Sequence, residues 1–246
     1  MLLDEANLKT LTVMGLPVHW GPDYSAWMLH QYRRGCGLHV VTLNAEMAIQ
    51  AEQLPQLGHI IQTAELVIPD GAGVVLYFRI KGKRVSRAPG IEVAEALLHQ
   101  LTASESVFLF GGGPGIAQQA ADHWRQRSPQ LAIAGVQHGY LDDAGQSALL
   151  ENLVALQPSV ILVGLGVPRQ EYWIAQYRHL CPKSIWIGVG GSFDIWAGTK
   201  TRAPAWMGNN HLEWLYRLYQ EPWRWRRMLA LPRFAWKALT YRGSQA

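Results

Sequence analysis

Short apolar runs alternate along the chain with longer stretches in which apolar residues recur every three or four positions. The runs Leu38 to Leu43, Glu65 to Pro69, Ser106 to Phe110, Leu131 to Val136, Val160 to Val163 and Ser184 to Val189 have the length of strands buried on both faces. Between and around them, helical periodicity covers about Asp23 to Arg33, Ala45 to Gln53, Gly73 to Ile80, Ile91 to Leu101, Ile116 to Arg127, Ala144 to Leu156 and Gln170 to His179. This alternation predicts an α/β fold, a Rossmann-like and mostly parallel sheet flanked by helices. Beyond Ala203-Pro204 the pattern changes to a helical run, Trp206 to Tyr219, followed by segments opened by Pro222 and Pro232. The reading is therefore a Rossmann-like domain over residues 1–204 and a C-terminal helical appendage over residues 205–246.

Composition narrows the classes. With 246 residues, 49% hydrophobic and 16% charged, the chain can build a full core and is too weakly charged for disorder. The longest uncharged stretch, Asn152 to Pro168, is 17 residues broken by prolines and polar groups, which argues against a membrane-spanning helix. The first residues carry Asp4, Glu5 and Lys9 without a long apolar run, unlike a secretory signal, so a cytoplasmic location is expected. Cys36 and Cys181 stand far apart in no metal-ligand spacing, so neither a disulfide framework nor a zinc site is expected.

Charge is distributed unevenly. From residue 200 onward nine basic residues face two acidic ones, a net +7, whereas residues 1–199 carry −3. The same tail holds five of the eleven tryptophans: Trp206, Trp214, Trp223, Trp225 and Trp236. A basic, Trp-rich tail on a slightly acidic body suits an anionic surface, either membrane or nucleic acid.

In parallel α/β sheets, ligands bind beyond the carboxyl ends of the strands. Here those ends carry Thr42 and Asn44, Asp70-Gly71, Gly111 to Gly115, Gly164 to Gln170 and Gly190 to Asp194. The Gly111 loop, with Gly113, and the pair Gly164 and Gly166 present backbone N–H groups that suit a diphosphate, or are simply tight turns. A dinucleotide is disfavoured, because Ile116 occupies the third glycine position of the fingerprint and Gln137-His138 stands where a ribose-binding acid belongs. Asp70 is placed to serve as a general base or as a helix N-cap, Asp194 as a general base or a turn residue, and Gln170 as an amide ligand or a solvated first-turn residue.

Together these segments resemble the WecG/TagA/CpsF family of bacterial glycosyltransferases. The matching pieces run in order over most of the chain: Thr42-Leu43-Asn44, Pro69-Asp70-Gly71, the Gly111 loop, Gly139-Tyr140, Gly164-Leu165-Gly166-x-Pro168-x-Gln170-Glu171, Gly190-Gly191-x-Phe193-Asp194, Arg202-Ala203-Pro204, Glu213-Trp214-x-x-Arg217 and Glu221-Pro222-x-Arg224. The resemblance implies an inverting transferase with no obligatory metal and no other cofactor. Its substrates would be a UDP-sugar donor, typically of N-acetylmannosamine, and an acceptor N-acetylglucosamine linked to a polyprenyl diphosphate, in surface polysaccharide synthesis. It further implies peripheral attachment of the tail to an anionic membrane surface on the cytoplasmic side, with no nucleic acid partner; a homo-oligomer stays open.

By the family pattern Asp70 would be the general base, with Thr42 and Asn44 at the same end of the pocket. Gly111, Gly113, Gly139, Tyr140, Gly164, Gly166, Gln170, Glu171, Gly191 and Asp194 would bind substrate, and Arg217, Arg224 and Arg227 would approach a diphosphate. One segment departs from the pattern, Arg87-Ala88-Pro89-Gly90-Ile91-Glu92, with Glu for the family's Asp and an added proline. Glucose or glucuronate donors therefore remain alternatives, as does a non-catalytic nucleotide-binding module whose tail grips nucleic acid.

Overall fold

The computed structural model describes residues 8–210 and 212–241. An N-terminal hairpin, β1 (Lys9–Val13) and β2 (Leu16–Trp20), is followed by α1 (Tyr24–Arg33), β3 (Leu38–Leu43), α2 (Ala45–Gln53), α3 (Pro55–Thr63), β4 (Leu66–Pro69), α4 (Ala72–Ile80) and α5 (Gly90–Gln100). The chain continues through β5 (Ser106–Gly111), α6 (Ile116–Arg127), β6 (Ala132–Gln137), α7 (Asp143–Leu156), β7 (Val160–Gly164), α8 (Arg169–Tyr177), β8 (Ile185–Gly188) and α9 (Ser192–Trp196). Four further helices close it: α10 (Ala205–Asn209), α11 (Glu213–Gln220), α12 (Trp225–Met228) and α13 (Ala230–Thr240).

Six strands form one parallel sheet in the order β4-β3-β8-β7-β5-β6. The strands read as unbroken apolar runs because both faces are covered, yet their period of two still sorts side chains by face. Val40, Ile68, Leu109, Leu162 and Ile187 pack with α1, α5, α6 and α9, while Val41, Val67, Phe110, Val163 and Trp186 look the other way. That second face is covered by α2, α3 and α4 at one end and by α7 and α8 at the other. Because every strand of the sheet runs the same way, all six carboxyl ends lie along one edge.

The sequence-predicted strands and helices of the sheet domain correspond to observed elements within a residue or two. Two features escaped the pattern. The β1–β2 hairpin turns through Met14 and Gly15, both at positive φ (50° and 81°), a left-handed pair for which methionine is an unusual first residue. Helix α3 starts with Pro55 at its first position and buries Leu57, Ile60 and Ile61, a short apolar stripe close behind α2. The predicted run Trp206 to Tyr219 is divided at Asn210 into α10 and α11.

Helix α13 packs against α2 and α4, and there Phe234 and Ala238 are buried in the same cluster as Val41 and Leu43. Phe234 meets the Tyr77 ring edge-on at 6.4 Å between centroids. Among the described residues no helix is long and apolar enough to cross a membrane. Since Phe234 is the principal buried side chain of α13, Phe234→Ala should remove about 3 kcal/mol of local packing. Hydrogen exchange is expected to accelerate through residues 230–240 while amides of β7 and β8 keep their protection; unchanged exchange in α13 would refute this anchor role.

Candidate active site

Asp70 follows the last residue of β4, at the carboxyl edge of the sheet. Its N–H donates to the Leu43 carbonyl at 3.0 Å, continuing the β3–β4 pairing by one step, and its Oδ1 accepts from the Gly90 N–H at 3.0 Å. The N-cap position of α4 belongs to Gly71, so Asp70 does not cap that helix; it receives the first N–H of α5 instead. The segment Arg87-Ala88-Pro89-Gly90 reaches Asp70 because the Ala88 N–H donates to the Pro69 carbonyl at 2.9 Å. A Cβ on Gly90 would stand 2.7 Å from Thr42 Cγ2, so a residue without a side chain lets α5 close on the end of β3.

Asp70 opens into a cavity of about 680 Å³ bounded by α4, α11 and α13. Asn44, Glu46, Arg87, Glu213 and Arg217 line its polar end, and α4 and α13 supply mostly apolar side chains elsewhere. Glu213 is held between two arginines: Arg87 Nη1 donates to Oε2 at 2.9 Å, and Arg217 Nη2 donates to Oε1 at 2.7 Å. Burial alone would raise the Glu213 carboxyl, but the charges of Arg217 and then Arg87, with their hydrogen bonds, outweigh it and hold that carboxyl below its ordinary value. Asp70 differs. Burial raises its carboxyl above the ordinary aspartate value, and the Glu213 charge reinforces the rise; Arg217, the Gly90 N–H and Arg87 oppose it without cancelling it.

The other sequence-predicted residues fall into three groups. Asn44 lines the cavity while its Oδ1 caps α2, accepting from Met47 N at 3.0 Å. Thr42 lies beneath it, buried, with Oγ1 donating to the Gly188 carbonyl at 3.1 Å. Arg227 sits nearby and pairs with Glu46 at 2.5 Å, while the side chain of Arg224 lies outside the described residues.

The glycine loops form a row along the adjoining strand ends, outside the lining of this cavity. Gly111, Gly112 and Gly115 adopt positive φ. Gly112 N donates to the Gly164 carbonyl at 3.0 Å, and Gly139 N to the Gly112 carbonyl at 2.9 Å, so the ends of β7, β5 and β6 are tied side by side. Gly113 belongs to the turn into α6, whose Ile116 N donates to its carbonyl at 3.1 Å, and Tyr140 is exposed beyond Gly139.

Gln170 is not a solvated first-turn residue: it is buried, and its Oε1 accepts from Gly166 N at 3.2 Å and Gly190 N at 3.1 Å. Its Nε2 donates to Glu171 Oε1 at 2.9 Å, and Glu171 Oε2 meets His39 Nε2 at 2.7 Å, all within the core. In this structure the Gln170-Glu171 pair braces the loops after β7 and β8. Gly191 precedes α9, and Asp194 in that helix faces Lys200 at 3.6 Å, which also reaches Glu221 at 3.1 Å.

Sequence reasoning assigned no site role to Arg87, Glu46 or Glu213. The available signal was the spacing of Glu213 and Arg217, i and i+4 on one helix, beside a segment already conspicuous for its proline. Because Glu213 contributes negative charge beside Asp70, Glu213→Gln should lower the Asp70 titration midpoint, which in the wild type stands above the ordinary aspartate value. Carbon-13 NMR of labelled aspartate checks this; an Asp70 midpoint at or below the ordinary value, or one that rises in Glu213→Gln, would refute the electrostatic account.

The profile of the family described as "Glycosyl transferase WecG/TagA/CpsF family" matches residues 11–246. A Bacillus spizizenii protein named N-acetylglucosaminyldiphosphoundecaprenol N-acetyl-beta-D-mannosaminyltransferase is 35% identical over 212 residues, spanning 85% of this chain and 82% of the relative. A Bacillus subtilis protein of the same name is 35% identical over 208 residues, spanning 84% and 80%. The family match spans the Asp70 edge and the helices that bound its cavity, and the relatives' identity covers most of the chain, so the chain belongs to the WecG/TagA/CpsF family and is a glycosyltransferase.

Proposed function

We propose that the protein transfers N-acetylmannosamine, with inversion, from a UDP donor to the N-acetylglucosamine of a polyprenyl-diphosphate-linked acceptor. The observation that carries this reading is a carboxylate, Asp70, raised by burial and facing a cavity whose polar end holds Arg87 and Arg217. A base of raised proton affinity suits removal of a proton from a sugar hydroxyl. As that proton moves to Asp70, the hydroxyl oxygen bonds to the anomeric carbon from the face opposite the leaving group. The bond from that carbon to the diphosphate oxygen breaks, and UDP departs with the electron pair. Arginines meet the negative charge that develops on the departing diphosphate.

Asn44 and Thr42 shape the acceptor end, while Gln170 and Asp194 act on the donor side through the loops they hold. Arg217, Arg224 and Arg227 approach a diphosphate, and the reaction proceeds without a metal.

Residues 205–246 complete the site and hold the enzyme peripherally on the cytoplasmic face of the membrane. The exposed indoles of Trp206, Trp223, Trp225 and Trp236 favour the headgroup layer, and neighbouring basic residues each add about 1 kcal/mol near an anionic leaflet.

The test is Asp70→Asn, assayed with UDP-N-acetylmannosamine and a diphosphate-linked N-acetylglucosamine acceptor in the presence of EDTA. The amide oxygen preserves the Gly90 hydrogen bond, and removing a carboxyl raised by burial relieves a cost at neutral pH, so the fold should be retained. Transfer by the wild type should continue in EDTA and fall by roughly 10² to 10⁴ in the variant. Wild-type turnover by Asp70→Asn would overturn the base assignment, and loss of wild-type activity in EDTA, restored by a divalent ion, would overturn the metal-free reading.

A further inference from the structure

The cavity at Asp70 has a second end that the transfer reaction leaves unexplained. Away from the polar cluster, α4 presents Leu76 and Ile80 to it, and α13 presents Leu231, Ala235 and Leu239. Residues 72, 76 and 80 share one face of α4, and 231, 235 and 239 one face of α13, so two apolar stripes look at each other across a groove. Leu76, Ile80 and Leu239 remain 52%, 48% and 66% exposed although each lines the cavity. A single exposed aliphatic side chain is ordinary; three around one groove that leads to the Asp70 carboxylate mark a place where hydrocarbon belongs. Ala238 on α13 and Gly73 on α4 line the cavity between these stripes.

We infer that this groove binds the first isoprene units of the acceptor's polyprenyl chain, so that the lipid is read directly by the protein as well as by the membrane. The inference rests on the function proposed above and extends it to a lipid subsite. Its occupant follows from the continuity of the two ends. An acceptor hydroxyl at Asp70 puts the sugar in the polar end, the diphosphate of such an acceptor comes next, and a hydrocarbon chain must leave from there. Arg79 and Arg217 line the same cavity beside the apolar walls, giving cationic groups where the polar head meets the chain. The walls beyond them carry aliphatic side chains and lie open to the surface, as a chain that continues into a bilayer requires.

The experiment uses the full-length protein without membranes and a series of N-acetylglucosamine diphosphate acceptors whose second ester is methyl, dimethylallyl, geranyl or farnesyl, each below its aggregation concentration. For the wild type, kcat/KM is expected to rise on the order of tenfold with each of the first two isoprene units, because hydrocarbon leaves water for the groove. Ala235→Trp, which fills the groove from an exposed position, should reduce the geranyl-to-methyl ratio toward one, and Leu76→Ser with Leu239→Ser should reduce it partway. The ratio is internal to each variant, so a general loss of activity does not imitate the effect.

A wild-type ratio near one, with transfer to the methyl acceptor intact, would overturn the subsite and leave the proposed function standing; the α4 and α13 walls would then serve only as a bilayer contact. A large ratio that survives Ala235→Trp would likewise overturn it. Absence of transfer to every acceptor would overturn the proposed function and this inference together.

Discussion

Glu213 stands between Arg87, which comes from the loop after α4, and Arg217, one turn further along its own helix. That three-membered ion cluster joins residues 126 positions apart, and two consequences depend on it. It fixes α11 over the carboxyl edge of the sheet, closing a cavity that the sheet alone would leave as an open shelf. It also sets the electrostatic surroundings of Asp70: two guanidinium groups pull its carboxyl down, one carboxylate pushes it up, and burial decides the net direction upward. Truncating Glu213 would leave both arginines without this partner at the polar end of the cavity, so the cluster also sets the net positive charge there.

The rest of the edge is arranged so that strand-end loops hold one another. Backbone bonds run from Gly139 to Gly112 and from Gly112 to Gly164, and the Gln170 amide spans Gly166 and Gly190. Behind Gln170, Glu171 and His39 form a polar contact inside an otherwise apolar face, and Glu65 accepts from His39 N at 2.7 Å while pairing with Arg178 at 2.8 Å. The buried members of this series, Gln170, Glu171 and His39, are satisfied one by the next and so specify a single arrangement of loops.

Much of this was legible in the residues. The strands announced themselves because burial on both faces leaves continuous apolar runs ended by Gly, Asn or Asp, and the polar groups at those ends fall along one edge because the strands are parallel. The hairpin was not legible, since Met14 gives no signal for a left-handed turn. Gln170 looked like a surface residue at the start of a helix, because nothing local reveals that two loops from separate strands converge on its amide. Glu213 and Arg87 carried no mark of partnership, and Phe234 none of burial, since such contacts are made only when the tail returns across α2 and α4.

The central claim is that the burial-raised carboxyl of Asp70 is the group whose ionisation permits transfer. The most direct measurement is the pH dependence of kcat/KM, compared between wild type and Glu213→Gln with the Asp70 midpoint known for each. The account predicts that activity rises with pH along an acid limb centred on that midpoint, and that the limb moves to lower pH together with the carboxyl in the variant. An acid limb that stays in place while the Asp70 midpoint moves would contradict it.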